Sequence, residues 1–134
     1  MCIRGGGDLA SGVALRLHRS GLRVIISELA RPLAVRRSVS FAEAVYRGSI
    51  TVEGCTARCV FDPADTHLAS QIMSERQIPV LVDPNGESVA HFQPGVLVDA
   101  RMIKRRVTNI CYAVGLSIGL GPGFVAGENC DAVI

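Results

Sequence analysis

The feature that most constrains the fold is a run of three glycines close to the start of the chain. The segment reads Ile3-Arg4-Gly5-Gly6-Gly7-Asp8-Leu9-Ala10-Ser11-Gly12, in which Gly5, Gly7 and Ala10 follow the G-x-G-x-x-G/A spacing of dinucleotide-binding turns. In such turns the first glycine bends the chain, the second lets the backbone approach a pyrophosphate, and the third small residue brings the helix close to the sheet. The spacing therefore predicts a strand, a tight turn and a helix.

The residues after this turn have the pattern of a helix followed by a buried strand. Leu9, Val13 and Leu17 recur at helical spacing, and Gly21 is the residue type that ends many helices in the left-handed conformation. The apolar run Val24-Ile25-Ile26 then predicts a strand covered on both faces, as in a parallel sheet. These elements form the opening β-α-β unit of an α/β fold.

The rest of the chain predicts further strands and helices. They are a short helix at 41–46 with a capping box of Ser40 and Glu43, a hairpin of 49–53 and 56–61, a helix through 68–73, strands at 79–82 and 96–98, a helical or extended surface segment at 102–106, and a strand within 110–120. We expect a Rossmann-like α/β fold with a mostly parallel sheet flanked by helices, a hairpin insertion and an irregular glycine-rich C-terminal part.

The length of the chain and its ends predict how it is organised. Residues 1–134 suffice for a single Rossmann-like domain and not for two domains of ordinary size. Only four residues precede the first glycine, and the chain ends on the apolar segment 131–134. We therefore expect a fragment of a longer chain.

The first glycine turn is the first candidate binding site, because a helix N-terminus offers free N–H groups and the positive end of the helix dipole to an anion. Glu28 ends the next strand 23 residues after Gly5, near the roughly 20 residues expected for an acidic ribose ligand. Arg4 adds a cation and Gly6 a further amide, whereas Asp8 is expected to cap the helix and compete with a phosphate for the same N–H groups. A turn kept for folding alone, without a ligand, is the alternative.

A second glycine-rich loop follows the last predicted strand. Gly119, Gly121 and Gly123 could expose amides that form an anion nest, although Pro122 removes one donor. Glycines at a tight bend need only a positive φ to explain them, so a purely structural role is equally open. If both loops lie at the same sheet edge, they would frame one crevice of the kind in which open α/β sheets bind ligands.

The remaining acidic residues that could carry chemistry sit at strand ends or turns. Asp62, Asp65, Asp83 and Asp99 are all placed in this way, and carboxylates there commonly cap helices or stabilise turns. We therefore predict capping for most of them.

Composition argues against several classes of function. A formal charge of +2 and an aromatic content of 4% predict no nucleic-acid binding, and the basic clusters 31–37 and 101–106 are expected to be solvated faces. No apolar run reaches the roughly 20 residues of a membrane helix, and no secretory signal is present, so we expect a soluble, cytoplasmic protein. Cys55 and Cys59 lack the second Cys or His pair of a zinc site, which predicts structural thiols and no metal.

Several segments, in order along nearly the whole chain, match a known family. They are residues 3–14, 31–37, 39–46, 50–54, 79–84, 96–100 and 119–127. In these segments the chain resembles the YqeB-type accessory proteins of the selenium-dependent molybdenum hydroxylase system, a bacterial family associated with maturation of molybdenum hydroxylases. The resemblance implies a role in preparing the enzyme, in handling its cofactor or its labile selenium, with the hydroxylase and its maturation proteins as partners. It implies no catalytic residue.

Three functional hypotheses follow. The leading one is an accessory protein that binds a nucleotide or phosphate-bearing cofactor, for example NAD(P) or the nucleotide form of molybdopterin. The second is an NAD(P)-dependent oxidoreductase, in which Arg31 could contact a 2′-phosphate and favour NADP. The third is a non-catalytic scaffold that docks on the hydroxylase through the basic clusters. The sequence leaves open the ligand, any reaction and whether the protein is a homo-oligomer.

Overall fold

The structure is a computed structural model that describes residues 1–107 and 113–134. Its strands are β1 Cys2–Arg4, β2 Ile25–Glu28, β3 Ser49–Val52, β4 Cys55–Val60, β5 Ile78–Val82, β6 Val96–Asp99, β7 Leu116–Gly119 and β8 Ala132–Val133. Within the described residues they form one sheet of eight strands in the order β3-β4-β5-β2-β1-β6-β7-β8. All neighbours pair in parallel except β3 and β4. The chain therefore has the predicted α/β fold with a mostly parallel sheet, consistent with a Rossmann-like architecture.

Helices cover both faces of this sheet. They are α1 Asp8–Arg19, α2 Ala44–Arg47, α3 Thr66–Ser74 and α4 Ser88–Phe92, with 3-10 turns at Arg37–Val39 and Phe41–Glu43. Successive side chains of a strand point to opposite faces of the sheet, so each strand contributes residues to two apolar clusters, one on each face. Ile3 and Ile26 pack with α1 and α2 on the first face, whereas Cys2 and Ile25 pack with α3 and α4 on the second face.

The predicted ends of two helices are confirmed. At the end of α1, Gly21 has a φ of 85°, and the amide of Leu22 donates to the carbonyl of Leu17 at 3.2 Å, as in a Schellman motif. At the start of α3, the Asp65 carboxylate accepts a hydrogen bond of 2.9 Å from the amide of Leu68. These local signals place both helices correctly along the chain.

The capping box predicted at Ser40 and Glu43 is wrong. Ser40 makes no side-chain cap, and its hydroxyl donates instead to the carbonyl of Arg36 at 2.7 Å. The Glu43 carboxylate is only 3% exposed and accepts hydrogen bonds from Arg37 and Arg47. A buried carboxylate is stabilised more by two guanidinium groups than by one backbone amide, which explains the difference.

The hairpin is confirmed, although it is not an insertion. Strands β3 and β4 are antiparallel around Glu53 and Gly54, whose φ values of 47° and 78° fit a tight hairpin turn. After the hairpin, α3 returns the chain so that β5 pairs in parallel with β4. The hairpin therefore forms one edge of the main sheet.

The C-terminal part is irregular, as predicted. Residues 102–106 form neither helix nor strand, and the described part of the predicted strand at 110–120 contributes β7, while residues 110–112 lie outside the described residues. The sequence gives no signal for the short helix α4 or for β8. None of the helices formed by residues 1–107 and 113–134 has the length and apolar character needed to cross a bilayer.

The order of the strands positions the candidate site. The chain runs from β1 to β2 and later to β5 on one side, and then crosses to β6 on the other side of β1. The carboxyl ends of these four parallel strands therefore meet at one edge, with a reversal of strand order next to β1. Ligands of open α/β sheets bind at such a reversal.

Candidate functional site: a cleft at the carboxyl edge of the sheet

A cleft of about 340 Å³ lies where β1, β2, β5 and β6 end. Its lining includes the first glycine turn and residues from the segments 27–29, 33–35, 83–84 and 100–102. Clefts that bind small ligands have volumes of roughly 300–1,000 Å³, so this cleft has room for a cofactor-sized group. Gly119, Gly121 and Gly123 do not line it. Both glycine loops follow parallel strands of the same sheet, but only the first loop lines this cleft. The expectation that the two loops frame one crevice is therefore wrong.

The three glycines of the first turn differ in what an added side chain would meet. Gly5 has a φ of 94°, and a Cβ there would lie 3.3 Å from the carbonyl oxygen of Ala100. A Cβ on Gly6 would lie 3.0 Å from the amide nitrogen of Ala42. Gly7 has an ordinary φ of −64°, and no atom of the described residues lies within 4 Å of the position its Cβ would take. The fold therefore requires Gly5 and Gly6, whereas the space beside Gly7 opens onto the cleft.

The amides of this turn are partly taken by the protein itself. Gly5 donates to the carbonyl of Ser27 at 2.8 Å, and Gly6 donates to Oε2 of Glu28 at 2.6 Å. The amide of Gly7 makes no hydrogen bond to any residue in the described part of the chain. Of the amides predicted to receive an anion, the one at Gly7 therefore stays available.

Glu28 closes the turn from the neighbouring strand. Its carboxylate accepts from the amide of Gly6 through Oε2 and from the amide of Leu29 through Oε1, both at 2.6 Å. The carboxylate thus holds the ends of β1 and β2 together, and it also lines the cleft. Contact of Glu28 with a ribose stays a prediction beside this structural role.

Asp8 is not the N-cap that the sequence suggests, because Gly7 takes that position without a side-chain cap. The Asp8 carboxylate still accepts from an amide of the first helical turn, and its charge is balanced. Oδ1 accepts from the amide of Leu9 at 3.0 Å, and Oδ2 is 2.6 Å from the Arg36 guanidinium. The hydrogen bond from Arg36 lowers the pKa of the Asp8 carboxyl. The same ion pair fastens the segment that carries Leu33 and Val35, which are 91% and 94% exposed, beside the start of α1. Leu33 and Val35 therefore form an exposed apolar surface next to the glycine turn.

The second face of the sheet contributes a polar floor. Arg4 is 4% exposed, and its Nη2 donates to the carbonyl of Pro84 at 2.9 Å. A Cβ on Gly86 would lie 3.0 Å from the guanidinium carbon of Arg4, so the turn after β5 packs directly on this side chain. Arg101 forms a two-point ion pair with Asp99, with bonds of 2.8 and 2.5 Å. Both guanidinium groups are thus oriented by protein acceptors.

The predicted turn at Asp83 is confirmed, and its buried carboxylate organises it. Oδ1 accepts from the amides of Gly86 and Glu87 at 2.9 and 2.8 Å, and Oδ2 accepts from the amide and hydroxyl of Ser88 at 3.0 and 2.5 Å. Asp83 is 2% exposed, so these four bonds compensate the cost of burying a charge. The role of Asp83 is to fix the turn that forms one end of the cleft.

Ser27 was missed by the sequence analysis. It is the penultimate residue of β2, it is 2% exposed, and it lines the cleft. Its hydroxyl has no hydrogen-bond partner among the described residues. A single serine at the end of a strand has no sequence signature, because hydrogen bonding to distant residues is decided by the fold.

In the second glycine loop, close packing explains the glycines. A Cβ on Gly119 would lie 2.2 Å from Cγ of Phe124, and a Cβ on Gly123 would lie 2.4 Å from the carbonyl oxygen of Arg105. Neither distance is tolerated by real atoms, so these positions admit no side chain unless the neighbours move.

The amides of the second loop are used within the protein. Gly121 donates to the carbonyl of Ile134 at 3.1 Å, and Gly123 donates to the carbonyl of Ile103 at 2.9 Å. The expected anion nest is therefore not formed. A Cβ on Gly121 would lie 3.4 Å from Cα of Met102, so the loop instead packs behind the segment that lines the cleft.

Three of the cysteines in the described part of the chain lie in environments that disfavour the thiolate form. Burial raises the pKa of the Cys2 thiol to about 12 and also raises the pKa of Cys55 and Cys59. Cys111 lies outside the described residues. Within residues 1–107 and 113–134, no three His, Cys, Asp or Glu side chains converge as a metal-binding group.

Comparison with known proteins relates the chain to one named protein. No family model matches the chain, and no solved structure matches it. Over 132 residues, which are 98% of the chain, it is 43% identical to "Uncharacterized protein YqeB" of Escherichia coli strain K12, and it spans 24% of the length of that protein. The chain is therefore a relative of YqeB that corresponds to about a quarter of it, which confirms the YqeB part of the resemblance seen in the sequence.

Proposed function

We propose that this chain is the nucleotide- or phosphate-binding unit of a YqeB-type protein, with the ligand in the carboxyl-edge cleft and a phosphate at the start of α1. The observation that carries the proposal is Gly7. Its amide makes no hydrogen bond within the described residues, and its missing side chain leaves the backbone open to the cleft. A helix N-terminus attracts anions, and Arg36 balances the competing charge of Asp8.

The walls of the cleft suit a ligand with a flat apolar part. Leu9, Leu29, Leu33, Val35 and Met102 all line it and are between 41% and 94% exposed. Covering such side chains contributes about 25 cal/mol per Å² of apolar surface removed from water. A nucleobase, a nicotinamide or a pterin ring would provide that cover. NAD(P), ATP, CTP and the nucleotide form of molybdopterin are therefore the ligands to test.

Maturation of a selenium-dependent molybdenum hydroxylase is the proposed setting for this binding. Its support is the similarity of the segments 3–14, 31–37 and 79–84 to that accessory family. The hydroxylase and its maturation proteins are the proposed partners. Co-purification of a tagged full-length protein with a hydroxylase would support this setting, and a hydroxylase that matures normally without the protein would refute it.

Calorimetric titration tests the binding itself. NAD(H), NADP(H), ATP, CTP and molybdopterin cytosine dinucleotide are titrated into the wild-type chain, the Gly7→Ala variant and the Gly12→Ala variant. A Cβ on Gly12 would likewise meet no atom of residues 1–107 and 113–134 within 4 Å, but Gly12 is an exposed helix residue outside the cleft lining, so it is the matched control. We expect Gly7→Ala to weaken binding by about tenfold, equivalent to ~1.4 kcal/mol, and Gly12→Ala to leave it unchanged.

Two results would count against the proposal. Failure of every nucleotide and of pyrophosphate to bind the wild-type chain would refute the proposal. Equal affinities in the Gly7→Ala and Gly12→Ala variants would place any bound nucleotide away from the start of α1.

A further inference from the structure

We propose that Ser27 recognises a neutral polar group of the bound ligand, a hydroxyl or a carbonyl, at the end of the ligand remote from its phosphate. This inference rests on the proposed nucleotide binding. It adds the residue that binds the part of the ligand that carries no phosphate. Its starting point is Ser27, a residue that is 2% exposed and lines the cleft, and whose hydroxyl has no partner within the described residues. A buried hydroxyl without a partner is unfavourable, so natural proteins retain few of them.

Among the buried serines of the described residues, Ser27 differs from the others because its hydroxyl has no hydrogen-bond partner. The hydroxyl of Ser11 donates to the carbonyl of Gly6 and accepts from the amide of Phe41. The hydroxyls of Ser40 and Ser88 donate to a backbone carbonyl and to a carboxylate respectively. These three lie outside the cleft lining, whereas Ser27 belongs to it. The unsatisfied hydroxyl is therefore found where a ligand could satisfy it.

The register of the sheet separates Ser27 from the phosphate position. Ser27 pairs with Arg4 on β1 and with Leu81 on β5, so its side chain lies on the second face of the sheet. The residues of α1 pack on the first face, and Gly7 stands at the start of that helix. A ligand with its phosphate at Gly7 must cross the edge of the sheet to reach Ser27. An inorganic phosphate cannot do so, whereas a nucleotide is long enough.

The charges around Ser27 favour a neutral group. The carboxylates of Glu28 and Asp83 line the same cleft, and a second anionic group of the ligand would meet both. The guanidinium groups of Arg4 and Arg101 already contact the Pro84 carbonyl and the Asp99 carboxylate. A hydroxyl or carbonyl gains a hydrogen bond from Ser27 without the cost of burying a further charge. The ribose or the base of a nucleotide carries such groups.

The test compares nucleotides with their parts on the full chain. Affinities for ATP, CTP, adenosine, cytidine and inorganic pyrophosphate are measured for the wild type and for Ser27→Ala. We expect Ser27→Ala to weaken nucleotide and nucleoside binding by the same factor, about threefold to tenfold, the loss of one hydrogen bond between neutral groups, and to leave pyrophosphate binding unchanged.

Thermal unfolding of the ligand-free protein provides a second readout. Ser27→Ala removes an unsatisfied hydroxyl, so its melting temperature should equal or exceed that of the wild type. The control is Ser11→Ala, which breaks two satisfied hydrogen bonds and should melt at a lower temperature. A lower melting temperature of Ser27→Ala would indicate a structural hydroxyl and overturn the inference.

The outcomes separate this inference from the proposed function. Nucleotide affinity unchanged by Ser27→Ala, or pyrophosphate affinity reduced by the same factor, would overturn the role of Ser27 and leave nucleotide binding intact. If nucleotides and pyrophosphate fail to bind the wild type, the proposed function is wrong. In that case, nucleoside binding that is weakened by Ser27→Ala would still support the neutral subsite, and its absence would refute both.

Discussion

At the start of α1 the absence of a side chain on Gly7 leaves the backbone open, whereas a side chain on Gly119 would overlap the Cβ and Cγ atoms of Phe124. The two positions are the same residue type in similar glycine-rich surroundings. They differ because Phe124 packs against Gly119 at the end of β7, whereas no described residue comes within 4 Å of a Cβ placed on Gly7. The sequence does not show which glycine leaves space for a ligand and which leaves space for a neighbouring side chain. The structure distinguishes them.

We predict that Gly119→Ala lowers the free energy of unfolding by about 1–3 kcal/mol, because the added methyl overpacks a buried site. Gly12→Ala, in an exposed helix position with free space, should raise it by about 0.5–1 kcal/mol through its higher helix propensity. Urea denaturation of both variants measures the difference. Equal stabilities would show that the Phe124 ring moves aside without cost.

The first turn was predictable from sequence because its glycines, its small residue and its helix are adjacent in the chain. The strand after it was predictable because its run of β-branched residues is continuous. By contrast, the neighbours of Gly123 and the unsatisfied hydroxyl of Ser27 depend on contacts between remote segments. Of the two alternatives for the second loop, the structural role holds for the same reason, since the amides of Gly121 and Gly123 donate to carbonyls that no local pattern reveals.

At the scale of elements, the connection between β2 and β3 depends on one buried carboxylate. Glu43 accepts hydrogen bonds of 2.7 and 3.0 Å from Arg37 and one of 2.9 Å from Arg47. Two cations from a 3-10 turn and from α2 therefore meet on one anion. The sequence predicted a helix here but assigned Glu43 to a cap, because the spacing of a capping box does not show whether the carboxylate is buried.

We predict that Glu43→Gln destabilises the protein at pH 7 and that the difference from the wild type disappears in acid. The hydrogen bond from Arg37 is the main cause that lowers the pKa of Glu43, so the folded state favours the ionised form. The contribution of Glu43 to stability is fully present above its unfolded pKa, near 4.5, and is lost as the pH falls through the lower folded pKa. Urea denaturation at pH 7, 5 and 3 measures this.

The exposed pair of Glu75 and Arg58 provides the control for that experiment. Its side chains are 40% and 36% exposed, and exposed ion pairs contribute about 0–1 kcal/mol. Glu75→Gln should therefore change stability little at any of these pH values. A Glu43→Gln deficit that persists unchanged at pH 3 would show that the carboxylate acts by packing and not by charge.

For the whole molecule, the order of the strands decides where the cleft lies. The alternation of strands and helices predicted a parallel sheet at the level of class. It did not predict that β4 pairs with β5, because a hairpin and a crossover can share a strand without any local signal. Four strands from separate parts of the chain end at the carboxyl edge of the sheet. The shape of the cleft depends on how these strands are arranged, which the sequence does not show.

Ligand binding should stabilise the entire fold, since its lining residues follow strands at the centre of the sheet. At a ligand concentration of 100 times Kd we expect about 2.7 kcal/mol of added stability, seen as a melting temperature that rises with ligand concentration. For a chain of this size that is roughly 10 °C. The Gly7→Ala variant should require about ten times more ligand for the same rise. A melting temperature that does not change with any tested nucleotide would contradict both the proposed nucleotide binding and its location in the cleft.

The ion pair between Asp8 and Arg36 has a practical consequence for such measurements. Its arginine side chain is 67% exposed, so dissolved ions weaken it, with a screening length of about 8 Å at physiological ionic strength. The apolar segment ahead of Arg36 is held at one end by this exposed contact and at the other by the hydrogen bond from the Tyr46 hydroxyl to the Pro32 carbonyl. The opposite rim, formed by cleft residues that follow β5 and β6, continues from buried strands. Buffer composition therefore acts on one rim more than on the other. Affinities for ligands of this cleft should therefore be compared at a single ionic strength.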